Sequence, residues 1–374
     1  MIYLDSVASY PSLPEVDETL YSTAKNNFAN PSSSHSLGEQ GKELVEGARE
    51  ATADSIGALS SEVVFTSGAT ESNNLIIKGV ILPLLLKGQK PHLITSILEH
   101  KCVLSISRYL ESLGCEVTYL HPNSDGEIQP SIVKSAFREN TALVSIMHVN
   151  NELGTINPIA EIGEICMSEK IPLHTDAAQS YLKLETDVDE LNVDFMSLSS
   201  HKVGGPKGVG IAYIRDLKDL DISPVVHGAG QEFGLRGGTL PTPLIAAFGV
   251  AIQSFSKYYT LEKTNKLKKQ LLEGLEKANI KYRINGGRNV IPSCISLTLS
   301  SSNIQALLRC NHASLALSQG SACSARSIEP SHVLTALNFD REQASKTLRI
   351  SFSHKNTGED IKTLLDEIIK FTGN

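Results

Sequence analysis

Apolar residues recur every three to four positions across residues 38–56, 72–86, 101–113 and 159–168. That spacing buries one face of a helix. Between these stretches lie short, nearly continuous apolar runs at 63–65, 93–95, 117–119 and 142–147, and two more that end at Asp176 and Leu198. Strands covered on both faces have this character. Strands separated by helices of this length predict βαβ units and an α/β fold, a mostly parallel sheet with helices on both sides. Near Pro241-Thr242-Pro243 the alternation stops, and a helical pattern runs on to about Ala278. Strands follow near 295–299 and 348–352, then a closing helix over 359–371. The pattern therefore predicts a large domain over 16–242 and a smaller α+β domain from 243 to 374.

Composition narrows the function classes. The 374 residues are 41% hydrophobic and 20% charged, ordinary for a globular chain of two domains. A net charge of −7 excludes a general electrostatic grip on nucleic acid. The longest apolar run, 80–86, is far too short for a membrane span, and the first residues lack the basic and apolar regions of a secretory signal. A cytoplasmic protein is the expectation. The six cysteines, at 102, 115, 166, 294, 310 and 323, show no metal-binding spacing. Cys102, Cys166 and Cys294 sit in apolar patterns and read as buried thiols. Cys323 lies in Gly320-Ser321-Ala322-Cys323-Ser324, with almost nothing apolar to bury it. It reads as a functional thiol in a flexible loop.

The strongest chemical signal is Ser199-Ser200-His201-Lys202, at the end of a predicted strand and ahead of a glycine-rich turn. A lysine so placed can condense with the aldehyde of pyridoxal 5'-phosphate, while Ser199 and His201 bond the phosphate. Asp176 closes an upstream strand and supplies the carboxylate that keeps the cofactor's pyridine ring protonated. The Gly68-Ala69-Thr70 turn, between a strand and a helix, adds backbone N–H groups at a helix N-terminus, a ready anion cradle.

These segments, with Thr66–Asn74, Glu99-His100-Lys101-Cys102, Met147–Glu152, Arg236–Pro241 and Gly320–Ser324, resemble the NifS/IscS-like cysteine desulfurases. That branch belongs to the class V aminotransferase group of fold type I pyridoxal-phosphate enzymes. The resemblance covers nearly the whole chain. It implies that the arm 1–15 packs with the smaller domain, that the protein is a homodimer, and that Thr239 reaches the phosphate of the partner subunit. It also implies that His100 stacks on the cofactor ring and helps in proton transfer. Gln179 would bond the cofactor's phenolic oxygen, and Asn151 with Arg349 would hold the substrate carboxylate, for which a guanidinium fork is suited. The arm segment Asp5-Ser6-Val7-Ala8-Ser9-Tyr10 departs from the family's usual run, so no site residue is assigned there.

The implied reaction takes sulfur from L-cysteine. Lys202 removes the Cα proton, and a Cys323 thiolate attacks the substrate sulfur, leaving L-alanine and a persulfide on Cys323. His100 would accept the proton of that thiol. The sulfur then passes to an acceptor protein serving iron–sulfur clusters, tRNA thiolation or DNA sulfur modification, with no direct nucleic-acid contact. Selenocysteine lyase or transamination on the same scaffold is the alternative chemistry, and a non-catalytic sulfur carrier the alternative class. Cys323 speaks against transamination, and the joint presence of Lys202, Asp176, His100 and Cys323 speaks against the carrier.

Overall fold

The computed structural model describes residues 1–217, 221–300, 303–319 and 330–372. In chain order its strands are β1 (Ile2–Tyr3), β2 (Val63–Thr66), β3 (His92–Ser96), β4 (Glu116–Leu120), β5 (Thr141–Ser145), β6 (Leu173–Asp176), β7 (Phe195–Ser199) and β8 (Gly210–Ile214). The smaller part adds β9 (Tyr282–Asn285), β10 (Cys294–Leu299), β11 (Leu315–Ala316) and β12 (Thr347–Ser351). β2 to β8 form one seven-stranded sheet in the order β2-β8-β7-β6-β5-β3-β4. Neighbours from β7 through to β4 run parallel, and β8 alone is antiparallel to both of its neighbours. The mostly parallel sheet expected from the alternation is thus present. β8 went unread because Gly208-Val209-Gly210 looks like a continuation of the turn after Lys202.

Helices cover both faces of the sheet, and their apolar stripes form two cores, one around Phe65, Ile146 and Met196 and one around Val64, Leu93 and Leu143. The long helical pattern after Pro241 resolves into two helices, Thr242–Tyr258 and Leu261–Lys277, the second capped by the Thr260 hydroxyl. Ile245, Phe248, Ala251 and Phe255 of the first helix join the core of the large sheet. The large core therefore runs on to Tyr259, past the division at 242/243 suggested by the sequence pattern.

A second centre is built on the antiparallel sheet β12-β10-β9. Helices Leu261–Lys277 and Gly358–Lys370 bury Leu267, Leu271, Ile361 and Leu364 against it. The N-terminal arm is stitched to this centre: β1 pairs with β11, Asp5 bridges to Ser351, and the Ser351 N–H donates to the Leu4 carbonyl at 2.8 Å. The arm then crosses to the large sheet, where the Tyr10 N–H reaches the His201 carbonyl at 2.9 Å. No helix among the described residues is long and apolar enough to cross a membrane.

Candidate active site

The parallel strands deliver their ends to one edge of the sheet, the edge at which α/β folds gather ligand-binding groups. Asp176 is the last residue of β6 and Ser199 the last of β7. Lys202 follows in a single turn of 3-10 helix, His100 lies just past β3, and Asn151 just past β5. Ala69 and Thr70 open the helix Ala69–Leu86 after β2. Its cap, Gly68, has φ +149°, and a side chain on Gly210 of the facing strand would strike the Gly68 backbone. Glycine at both places lets the turn sit tight against β8 and leaves the first-turn amides facing open space.

These residues line one cavity of about 590 Å³. Lys202, His100, Asp176, Gln179, Ser199 and His201 share it with Ala69, Thr70, Asn151 and Arg349. Of the residues singled out in the sequence, two do not appear there. Thr239 is exposed and outside the cavity of its own chain, and Cys323 lies outside the described residues.

Lys202 donates from Nζ to the carbonyls of Val7 at 2.7 Å and Ala8 at 2.9 Å. Burial, reinforced by the Arg349 charge, lowers its pKa to about 8, while Asp176 and Asp5 work in the opposite direction. Asp176, only 6% exposed, accepts from the Ala178 N–H at 3.0 Å and from Asn73 Nδ2 at 2.8 Å. His201 bonds the Ser9 hydroxyl through Nδ1 at 3.2 Å, and burial takes its pKa down to about 4, so its ring is neutral. Gln179 Nε2 donates to the Val7 carbonyl at 3.1 Å.

Arg349, on β12, crosses from the smaller sheet into this cavity. It donates from Nη1 to the Asn151 carbonyl at 3.0 Å and from Nη2 to the Asp5 carboxylate at 2.8 Å, with Nε buried and unpaired. The Asp5 contact corrects the reading that left the arm without site residues. Asp5, Val7 and Ala8 all line the cavity and supply partners to Arg349, Lys202 and Gln179. The signal was faint: an isolated aspartate after a two-residue strand has no local pattern.

Two further cavity residues were missed. Cys102, read as a core thiol, is half-buried on the cavity wall beside His100. Cys166 and Cys294 are buried as expected. His332 also lines the cavity, its Nε2 bonded to the Glu99 carbonyl at 3.0 Å, and its neighbour Ser331 donates to the Glu152 carboxylate. His100 presents its ring to the cavity, yet the surrounding protein strips enough water from it to lower its pKa.

Comparison with known proteins places this geometry. The aminotransferase class-V family matches residues 2–364. The chain is 41% identical to the mitochondrial cysteine desulfurase of Saccharomyces cerevisiae over 363 residues, covering 96% of this chain and 72% of that protein. It is 44% identical to the cysteine desulfurase IscS of Vibrio vulnificus over 375 residues, covering 98% and 91%. Among solved structures, SspA in complex with cysteine superimposes with a TM-score of 0.86 at 44% identity, covering 96% of this chain and all of that one. DndA from Streptomyces lividans does so with a TM-score of 0.76 at 35% identity, covering 94% and 99%.

Proposed function

Since the chain belongs to the class-V aminotransferase family, within its cysteine desulfurase branch, and removes sulfur from L-cysteine with pyridoxal 5'-phosphate, we propose that Lys202 carries the cofactor and that Cys323 receives the sulfur. The observation that carries this reading is the convergence of Lys202, Asp176 and Arg349 on one cavity large enough for the cofactor and a small amino acid.

The donor set suits that cofactor. Asp176 offers a buried carboxylate to a ring nitrogen, Lys202 an amine to the aldehyde, and the first-turn amides of Ala69 and Thr70 with Ser199 and His201 an anion site for the phosphate. When bound, the group supplies an electron sink for the charge left when the substrate loses its Cα proton. Lys202 is the residue placed to take that proton. Its lowered pKa keeps a useful fraction as free amine near neutral pH. Arg349, held by Asn151 and Asp5, orients the substrate through its carboxylate. Gln179 and His100 line the same cavity and would border the cofactor.

Thr239 is exposed and does not line the cavity of its own chain, which accords with a homodimer in which each subunit completes the phosphate site of the other. The acceptor of the sulfur is a protein, because a chain of net charge −7 offers no general basic face to tRNA or DNA. A cytoplasmic setting accords with this acceptor.

The test separates the two halves of the reaction. Borohydride reduction of the loaded enzyme should fix the cofactor on the peptide containing Lys202. A Cys323→Ala variant should bind the cofactor and L-cysteine but release alanine at least about a hundredfold more slowly. Label on Lys207 would overturn the assignment of Lys202. Wild-type turnover by Cys323→Ala would overturn the persulfide route.

A further inference from the structure

His100 is the N-cap of the helix Lys101–Ser112, and its Nδ1 accepts from the Cys102 backbone N–H at 3.3 Å. The Cys102 sulfur lies 3.0 Å from the same nitrogen. An imidazole nitrogen that accepts a backbone N–H bears a lone pair, so the sulfur beside it faces as an S–H donor. Next along is Asn73, fully buried, whose Nδ2 lies 3.3 Å from that sulfur and 2.8 Å from Asp176 Oδ2. A carboxylate oxygen only accepts, which fixes the orientation of the Asn73 amide. Its two protons then serve Asp176 and Cys102, and its Oδ1 is left buried without a partner. Holding an amide this way costs free energy, and the reverse orientation would set a carbonyl against the carboxylate.

The bonds therefore run with one polarity, Asn73 to the Cys102 sulfur and the Cys102 thiol to His100 Nδ1, with the Thr70 side chain a further hydrogen-bond partner of that sulfur. We propose that Cys102 and Asn73 are positioning residues that lock His100 in the tautomer carrying its proton on Nε2, so that His100 meets sulfur in the desulfurase reaction as a hydrogen-bond donor, keeping its proton, and not as the base for a thiol. This rests on the reading of the cavity as the cysteine site, and it reverses the proton-accepting role expected for His100. A ring protonated at Nε2 has no lone pair to offer there, whereas its N–H suits a thiolate as a hydrogen-bond acceptor. The thiol is well fitted to donate, since burial, together with Asp176, raises its pKa to about 11 and keeps its proton on. Around His100, Asp176 and Glu152 favour its protonated form, while Lys202, His332 and the loss of water oppose it.

The locking is read by NMR of the full-length protein with 15N-labelled histidine, first free of cofactor and then loaded, with the His100 signals assigned from a His100→Gln variant. At neutral pH the wild type should show the Nε2–H tautomer. Cys102→Ala removes one donor to the neutral ring, so its His100 titration should move up by roughly half a unit. Cys102→Ser keeps a hydroxyl donor and should restore the wild-type value. The acid limb of kcat/KM for L-cysteine should stay where it is in Cys102→Ala while the NMR titration moves, because a doubly protonated ring still donates from Nε2; a limb that followed the His100 titration would mark a base and overturn the proposal. An Nδ1–H tautomer in the wild type would overturn the proposal, as would Cys102→Ala titrating with the wild type. Both readings are made without cofactor, so they stand apart from the assignment of Lys202.

Discussion

The edge strand β2 depends on an ion pair, and breaking that pair should be costly. Arg49, on the helix Ser36–Ile56, forks onto both carboxylate oxygens of Glu232 at 2.9 and 2.7 Å. Arg49 also donates to the Val63 carbonyl, and Glu232 accepts the Phe65 N–H, both at 2.6 Å. Both residues are about 5% exposed or less. Together they satisfy outward backbone groups of a strand that has a partner on one side only, standing in for a missing neighbour. Arg49→Met would strand a buried carboxylate and orphan the Val63 carbonyl, at a cost of about 3–5 kcal/mol. With an m value of about 4 kcal/mol/M for a chain of this size, the urea midpoint should fall by about 1 M. Glu232→Gln should cost less, about 2 kcal/mol, because an amide still meets one guanidinium N–H. The double variant Arg49→Met/Glu232→Gln should lose at least about 1 kcal/mol less than the sum. Equilibrium urea unfolding followed by fluorescence and circular dichroism provides the cycle. A strictly additive cycle, or a midpoint shift for Arg49→Met below about 0.3 M, would refute the argument that the pair acts as one buried unit.

Two further outcomes follow from the cavity. Arg349→Lys keeps the charge but loses the fork and the Asp5 and Asn151 geometry, so KM for L-cysteine should rise about 10- to 100-fold with a smaller change in kcat, measured by alanine formation. Capture of cofactor by the cofactor-free protein needs the neutral Lys202 amine, whose pKa is lowered to about 8, so the capture rate should climb as pH rises through about 8. Asp5 stabilises the ammonium form, and Asp5→Asn should move that profile to lower pH. A profile centred where free lysine titrates would contradict the burial argument.

Much of the fold was legible because it repeats. Buried parallel strands are apolar throughout and their helices are amphipathic, so the period switches audibly from element to element. β8 and the break between the helices at Tyr259-Thr260 were hidden, one inside a glycine-rich turn and the other inside an unbroken helical pattern. In the site, Lys202, Asp176 and the Gly68 turn could be read because each sits at a strand end beside turn residues, whereas His100 entered only through the family resemblance. Asp5, Asn73 and Cys102 could not be read. Their importance comes from contacts across 344, 103 and 29 positions of chain, such as Asp5 with Arg349, Asn73 with Asp176 and Asn73 with Cys102. Cys102 was taken for core because an apolar pattern cannot tell a wall of the core from a wall of a cavity.

The arm that closes over Lys202 also sets an order of assembly. Residues 2–7 leave the ribosome long before their partners Leu315, Ala316, Arg349, Ser351 and Phe352. The seven-stranded sheet needs nothing beyond Tyr259 for its core and can fold while synthesis continues. Through that interval Lys202 lacks the Val7 and Ala8 carbonyls, and Arg349 does not yet exist to cap the cavity. The cavity around the Lys202 amine closes only when the arm meets strands made long after it.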